Sequence, residues 1–392
     1  MKTVLLVAGF LLLFGGEILR VYFIMPFPGS QQSNTIDIAY WLHNNIGWLR
    51  AIGILLLAYP VSEIMNRGRK KTKVLTAIVL IFFGFVYFMF NYRFEADKMF
   101  YQPTIKQFAG INNNTVDTTK LVIGVSINNE AKAYPIELIG YHHQVRDTIG
   151  GQPVMITYCT VCRTGRVYNP GINGKNEEFR LVGMDHFNAM FEDKLTESWW
   201  QQATGHAIAG PLKGSSLSEL PSKQVTLATW LRDHPGSTIM QPDTTFSSHY
   251  ADLKGFDNGT IESGLEKRDS LSWQKKSWVI GVIVKDQPKA YDWNELVQKR
   301  MIQDAVNNVP LLITLESDTA SFHVFNRMLD NQELKFEPLG GQNMLIDSNT
   351  NSQWNMHGTC ISGTLRNKQL EPIQAYQEFW HSWQTFHKQT MK

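Results

Sequence analysis

Cys159 and Cys162 stand three residues apart in Tyr158-Cys159-Thr160-Val161-Cys162-Arg163, directly after an apolar stretch that reads as a strand. Two thiols at this spacing on a turn either chelate one metal ion or close a disulfide. His142 and His143 lie upstream and Met184-Asp185-His186 downstream, which adds imidazole and thioether donors. Such a set suits Cu(I), with zinc as the competitor for two Cys and a His. The expected metal ligands are Cys159, Cys162 and His142, completed by Met184 and His186, and the expected cofactor is a copper or zinc ion. Metal delivery or a metal-dependent redox step would follow. The same residues leave other chemistries open: a thiol-disulfide oxidoreductase, with Arg163 or His142 lowering a thiol pKa, or a Cys hydrolase whose partners meet it in space. A Cys159–Cys162 disulfide in a structural or sensing module is a further reading. No nucleophile-elbow GxSxG, Walker loop, HExxH or dinucleotide GxGxxG occurs in a fitting context, so those enzyme classes have no support.

The elements around these residues recur. Residues 122–169 align without a gap on residues 279–326: Val122-Ile123-Gly124-Val125 matches Val279-Ile280-Gly281-Val282, Lys132-Ala133-Tyr134 matches Lys289-Ala290-Tyr291, and Asp147, Pro153 and Asn169 match Asp304, Pro310 and Asn326. Farther on, Asp193, Thr196, Ser198 and Trp200 match Asp347, Thr350, Ser352 and Trp354. A tandem duplication is the natural reading. Glu316 and Thr319 face Cys159 and Cys162, and Lys299 and Arg300 face His142 and His143, so the first copy reads as the chemical one and the second as its packing partner. Each copy reads as strand, turn, strand through Lys-Ala-Tyr, short helix and further strands, with PGINGK as a hairpin turn. The retained Lys132 and Lys289 are expected to pair locally, and Asp147 and Asp304 to shape turns. Cys360, beside His357, reads as a small buried thiol. Tyr376–His387 has helical period, and its Trp380, Trp383 and Phe386 are expected in the core.

The fold class expected is α+β, mostly β, after three amino-terminal transmembrane helices: residues 1–92 in the membrane, 93–250 as the first repeat and 251–392 as the second, degenerate one. Residues 3–26, 46–65 and 74–90 are apolar enough to cross about 30 Å of hydrocarbon. Glu17 and Arg20 are expected to pair within the bundle or to lie at its outer end. The basic loop Asn66–Lys73 is expected on the cytoplasmic side, which places the long carboxy-terminal part beyond a bacterial inner membrane, in the periplasm. Over 392 residues the chain is 43% hydrophobic and 18% charged with net charge +2, which argues against disorder and against nucleic-acid binding. The partners expected are a membrane and a metal ion, with no nucleic acid; a protein partner is not specified by the sequence.

The segments VIGVSINNEAKAYP, YHHQVRDTIGGQPVMITYCTVCRTG and SWWQQATGHAIAGPLKG together resemble the bacterial domain of unknown function 3179 family. The resemblance covers about residues 118–250 and, more loosely, 277–390, where SQWNMHGTCISGTL and EFWHSWQTFH resemble its tail. The family pattern, a His before V-x-D-x-x-GG and a Cys-x-x-Cys after T-Y or T-W, maps onto His142, Asp147, Gly150, Gly151, Cys159 and Cys162. The chain departs in having Thr160 and Arg163 where many members have Pro and Gly, and MDHFNAMFED where many have an Asn-Ser pair. The resemblance implies a fold and the position of a site, and no reaction.

Overall fold

A computed structural model describes residues 1–340 and 343–392. Its amino-terminal part has three helices long and apolar enough to cross a membrane: α1 (Lys2–Tyr22), α2 (Ile36–Arg67) and α3 (Lys70–Tyr92). The second begins ten residues before the apolar stretch seen in the sequence. Its 32 residues reach about 48 Å at 1.5 Å per residue, well beyond the ~30 Å of hydrocarbon. The surplus at the amino-terminal end packs on protein: Ala39 and Leu42 are buried, and Tyr40 meets Trp199 edge-on at 5.1 Å. Small residues let α1 and α2 cross closely. A Cβ on Gly9 would come within 2.7 Å of Leu57, and one on Gly53 within 2.6 Å of Leu13.

The chain divides into two compact units. The first joins the three helices to residues 177–201 and 205–216. Those residues form a four-stranded antiparallel sheet with the spatial order Ala207–Ala209, Trp199–Gln201, Asn188–Asp193, Phe179–Asp185.

The second unit, residues 102–176, 202–204 and 217–392, is built of several small sheets. Strands Leu121–Ile127 and Glu130–Pro135 form a hairpin, helix Ile136–His142 follows, and strands Gln144–Ile149, Gln152–Cys159 and Thr164–Tyr168 form an antiparallel sheet. The same order recurs as Trp278–Val284, Gln287–Asp292, helix Trp293–Lys299, Met301–Val306, Val309–Leu315 and Phe322–Asn326. The PGINGK segment is a hairpin, pairing Gly171–Ile172 with Lys175–Asn176.

Each run leans on a tryptophan. Helix Leu227–Asp233 lays the Trp230 ring against Gly124, and helix Trp380–Phe386 lays Trp383 against Gly281. Each ring is covered by the histidine four residues on, His234 or His387, at 4.0 Å between centroids. Tyr376–Phe379, read from the sequence as the start of a helix, belongs instead to strand Ala375–Phe379, which pairs along Trp278–Val284 and satisfies that edge. Asp147 and Asp304 also differ from the turn residues expected. They lie within strands and accept a hydrogen bond from Tyr134 at 2.7 Å and Tyr291 at 2.9 Å, while Lys132 and Lys289 pair with them as local partners.

Candidate functional site

The Cys pair sits at the end of a hairpin. Cys159 closes strand Gln152–Cys159 opposite Thr164, and the turn Thr160–Arg163 carries Cys162. Both side chains are wholly buried and present as thiols. Burial pushes the Cys162 thiol up, and a hydrogen bond with Cys159 adds to this, while the nearby ammonium of Lys276 opposes it. The Val161 carbonyl between the two cysteines accepts from Lys276 Nζ and lies 3.2 Å from Nε2 of His381. The turn continues into a strand, and the amino end of helix Trp380–Phe386 lies against it: the Phe379 amide donates to the Cys162 carbonyl at 3.0 Å, and Ser382 is hydrogen-bonded to the Cys162 thiol.

The remaining sequence candidates are distributed differently. Nε2 of His142 is hydrogen-bonded to the Tyr250 hydroxyl at 2.7 Å, in a buried aromatic cluster with Phe246. Met184 and His186 belong to the first unit. There the Met184 amide donates to the Ile24 carbonyl at 2.7 Å, and Nδ1 of His186 lies 2.6 Å from the Asp185 carboxylate.

Glu316, His323 and His357 form the group whose donor atoms come together, all within 4.8 Å of one another. Glu316 extends strand Val309–Leu315 and bonds through its amide to the Ser321 carbonyl at 2.9 Å, so it occupies the place in its hairpin that Cys159 has in the other. His323 lies on the returning strand, where Arg166 lies in the first hairpin. His357 is held in a turn after strand Gln353–Asn355 by its amide bond to Asn355 Oδ1, 3.0 Å. Nε2 of His323 lies 2.6 Å and Nδ1 of His357 2.8 Å from Glu316 Oε1.

The Arg232 guanidinium completes the arrangement. It donates to both Glu316 oxygens at 2.9 and 3.0 Å and lies 2.7 Å from His357 Nδ1. Burial alone would raise the Glu316 carboxyl, but the hydrogen bonds from His323, His357 and Arg232 outweigh it and hold the group well below the usual carboxylate range. Burial lowers His323, and the bond to Glu316 only partly offsets it. His323 also borders a cavity of about 500 Å³, whose wall includes Phe322, Trp230, His234, Lys223 and Ile373. Two imidazoles and a carboxylate are the donor set of a borderline divalent ion of the zinc type, harder than the thiolate set of Cu(I).

Sequence reading missed this group because it treated the replacement of Cys159 by Glu316 as a loss. The signal was the replacement itself, an ionisable residue at the end of the hairpin in both runs, with His323 two strand positions beyond Ser321.

The model of a family described as a protein of unknown function, DUF3179, matches residues 101–390. No curated protein and no solved structure matches the chain.

Proposed function

We propose a function for a chain that belongs to the DUF3179 family: it is a membrane-anchored metal-binding protein that holds a divalent ion of the zinc class through Glu316, His323 and His357. The observation that carries this reading is the convergence of one carboxylate and two imidazole donors within 4.8 Å, on strand ends and a turn whose backbone positions are fixed by hydrogen bonds. When bound, the ion supplies Lewis-acid character at the wall of the cavity. Zinc is favoured over Cu(I) because none of the three donors is a sulfur atom.

What the chain's own residues do follows from their bonding. Glu316 supplies a carboxylate that is ionised over the whole physiological range. His323 is oriented by strand pairing, and His357 by Asn355. Arg232 pairs with the carboxylate, and its side chain, 45% exposed, would be free to turn to solvent were a cation to take its place. The basic Asn66–Lys73 loop supports a cytoplasmic position for that loop and a periplasmic one for the rest of the chain. The recurrence of strand order, tryptophan seats and the Lys-Tyr-Asp set supports descent of the second unit's two runs from a tandem duplication, in which the second hairpin acquired Glu316 and His323.

The test is metal content of the full-length protein in detergent after exposure to zinc and removal of excess. One equivalent in the wild type, lost in His323→Ala and in His357→Gln, is expected. Equal zinc in the wild type and both variants, or none in any of them, overturns the assignment. Circular dichroism of each variant verifies that it is folded.

A further inference from the structure

The Cys159–Cys162 turn is not used by the metal site, and its surroundings differ from those of a passive buried pair. Three of the four turn residues, Thr160–Arg163, are bonded to one irregular segment, residues 252–277, which has no strand or helix of its own. Thr160 Oγ1 donates to Glu266 at 3.2 Å, Val161 accepts from Lys276, and the Arg163 guanidinium donates to the carbonyls of Phe256 and Asp257, both at 2.9 Å. Arg163 is itself at φ +54°, a left-handed conformation that costs energy for a non-glycine residue and is held here by those bonds and by the Trp278 face 3.8 Å away. The segment is thus a strap, held down by these polar contacts with the turn that it covers and by the buried Phe256 and Ile261 side chains.

Beneath the strap the two thiols hydrogen-bond to each other, and burial together with that bond holds the proton on Cys162. Cys162 is the donor in that bond and Cys159 the acceptor, the arrangement in which a resolving thiol supports an attacking one. The amino end of helix Trp380–Phe386 lies against the turn, with the Phe379 amide donating to the Cys162 carbonyl at 3.0 Å, and the half-buried Lys276 ammonium adds positive charge beside the thiols.

We propose that Cys159 and Cys162 form a dithiol redox site for small organic disulfides, with Cys159 as the attacking thiol, Cys162 as the resolving thiol, Lys276 as the charge partner and residues 252–277 as the strap that opens to admit the substrate. In the first step the Cys159 thiolate attacks one sulfur of R–S–S–R. A protein–S–S–R bond forms, the substrate S–S bond breaks, and RS⁻ leaves and takes a proton. In the second step the Cys162 thiolate attacks the Cys159 sulfur, the Cys159–Cys162 disulfide forms, and a second RSH is released. The protein loses two electrons and two protons, and the substrate is reduced to two thiols; the reverse sequence reduces the pair. The site requires no metal and stands independently of the Glu316 centre.

The test equilibrates the full-length protein in detergent with mixtures of reduced and oxidised glutathione, followed by maleimide trapping and peptide mass mapping. A Cys159–Cys162 disulfide whose fraction follows the glutathione ratio reversibly, with Cys360 remaining alkylatable, is expected. In Cys162→Ser the reaction stops with one glutathione on Cys159, and in Lys276→Met the wild-type disulfide forms at least tenfold more slowly. Two results overturn the proposal: a pair that stays reduced at every ratio while the folded protein persists, or a disulfide that forms but is not reduced again without denaturant, which is a structural staple. A glutathione adduct on Ser-substituted protein at Cys162 in Cys159→Ser, at the same rate as on Cys159 in Cys162→Ser, overturns the assigned order of attack.

Discussion

Glu17 of α1 accepts two hydrogen bonds from the guanidinium of Arg50 of α2, at 2.5 and 2.9 Å, and a third from the Asn91 amide of α3 at 2.9 Å. One polar side chain from each helix therefore meets in the trio, and Glu17 is wholly buried. Arg20, expected from the sequence either to pair with Glu17 or to lie with it at the outer end of the bundle, forms an ion pair with Glu17 at 4.0 Å and hydrogen-bonds to Glu95 at 2.6 Å and to the Phe90 carbonyl at 3.0 Å. Three sides of the carboxylate are satisfied, which is the condition for keeping a charge in a low-dielectric place.

That arrangement makes Arg50→Met costly. Removing one partner of a buried pair leaves the other charge uncompensated, at about 3–5 kcal/mol. Thermal unfolding of the full chain in detergent is expected to show a large loss for Arg50→Met and a smaller one for Glu17→Gln with Arg50→Met together, since the double variant buries no orphaned charge. Equal losses would mean that the helices are held by packing alone.

The tryptophan seats give a second measurement. A Cβ on Gly124 would lie 2.3 Å from the Trp230 ring, and one on Gly281 2.1 Å from Trp383. Neither ring can retreat, since both are buried and backed by a histidine. Gly124→Ala and Gly281→Ala are each expected to lower stability by about 1–3 kcal/mol through overpacking, read from urea midpoints. Gly84→Ala serves as the control, because a Cβ there meets nothing within 4 Å.

Much of this architecture is legible in the sequence. Three apolar runs mark α1–α3, alternating Val, Ile and Leu mark the strands, and Lys132 and Lys289 do pair with aspartates close by. Of the carboxy-terminal aromatics expected in the core, Trp380 and Trp383 are buried there, while Phe386 is only half-buried. What sequence periodicity conceals is partnership over distance. Arg232 lies far from Glu316 along the chain, and nothing in either neighbourhood says that the fork meets the carboxylate. Asp147 reads as a turn residue because it precedes Gly150-Gly151, yet the carboxylate serves Tyr134 on another strand. The hairpin equivalence of Cys159 and Glu316 was visible, but its meaning depended on His357, which reaches the site from a separate strand pair.

Arg232 sets the affinity of the proposed metal centre. Its guanidinium, within 3.0 Å of both carboxylate oxygens, competes with a cation for the same lone pairs and repels it. At the effective dielectric of a partly exposed site, a unit charge at about 4 Å is felt by some kilocalories per mole. Arg232→Gln is expected to tighten zinc binding at least tenfold in competition titrations with a chelator dye, without altering the one-ion stoichiometry. Weaker binding in this variant would mean that the guanidinium supports the donor geometry instead of blocking it.

Asp257 gives the strap a pH dependence of known sign. Burial pushes its carboxyl from 3.8 up to about 6, against the amide of Leu121 that donates to it at 2.9 Å and the charge of Arg163. Between pH 4 and 6 the folded protein therefore holds a proton that the unfolded chain has lost, and stability falls as pH rises through this window. Above pH 6 the full penalty persists, at about 3 kcal/mol for a shift of this size. Asp257→Asn keeps an oxygen for Leu121 and removes the charge. The variant is expected to be the more stable protein at pH 8, with the difference shrinking toward zero near pH 4, in urea unfolding followed by tryptophan fluorescence. Since Asp257 is a strap residue whose carbonyl holds Arg163, the same variant is expected to slow maleimide labelling of Cys159 at pH 8 and to leave it unchanged at pH 4. A labelling rate insensitive to the substitution at both pH values would separate the strap from the exposure of the thiols.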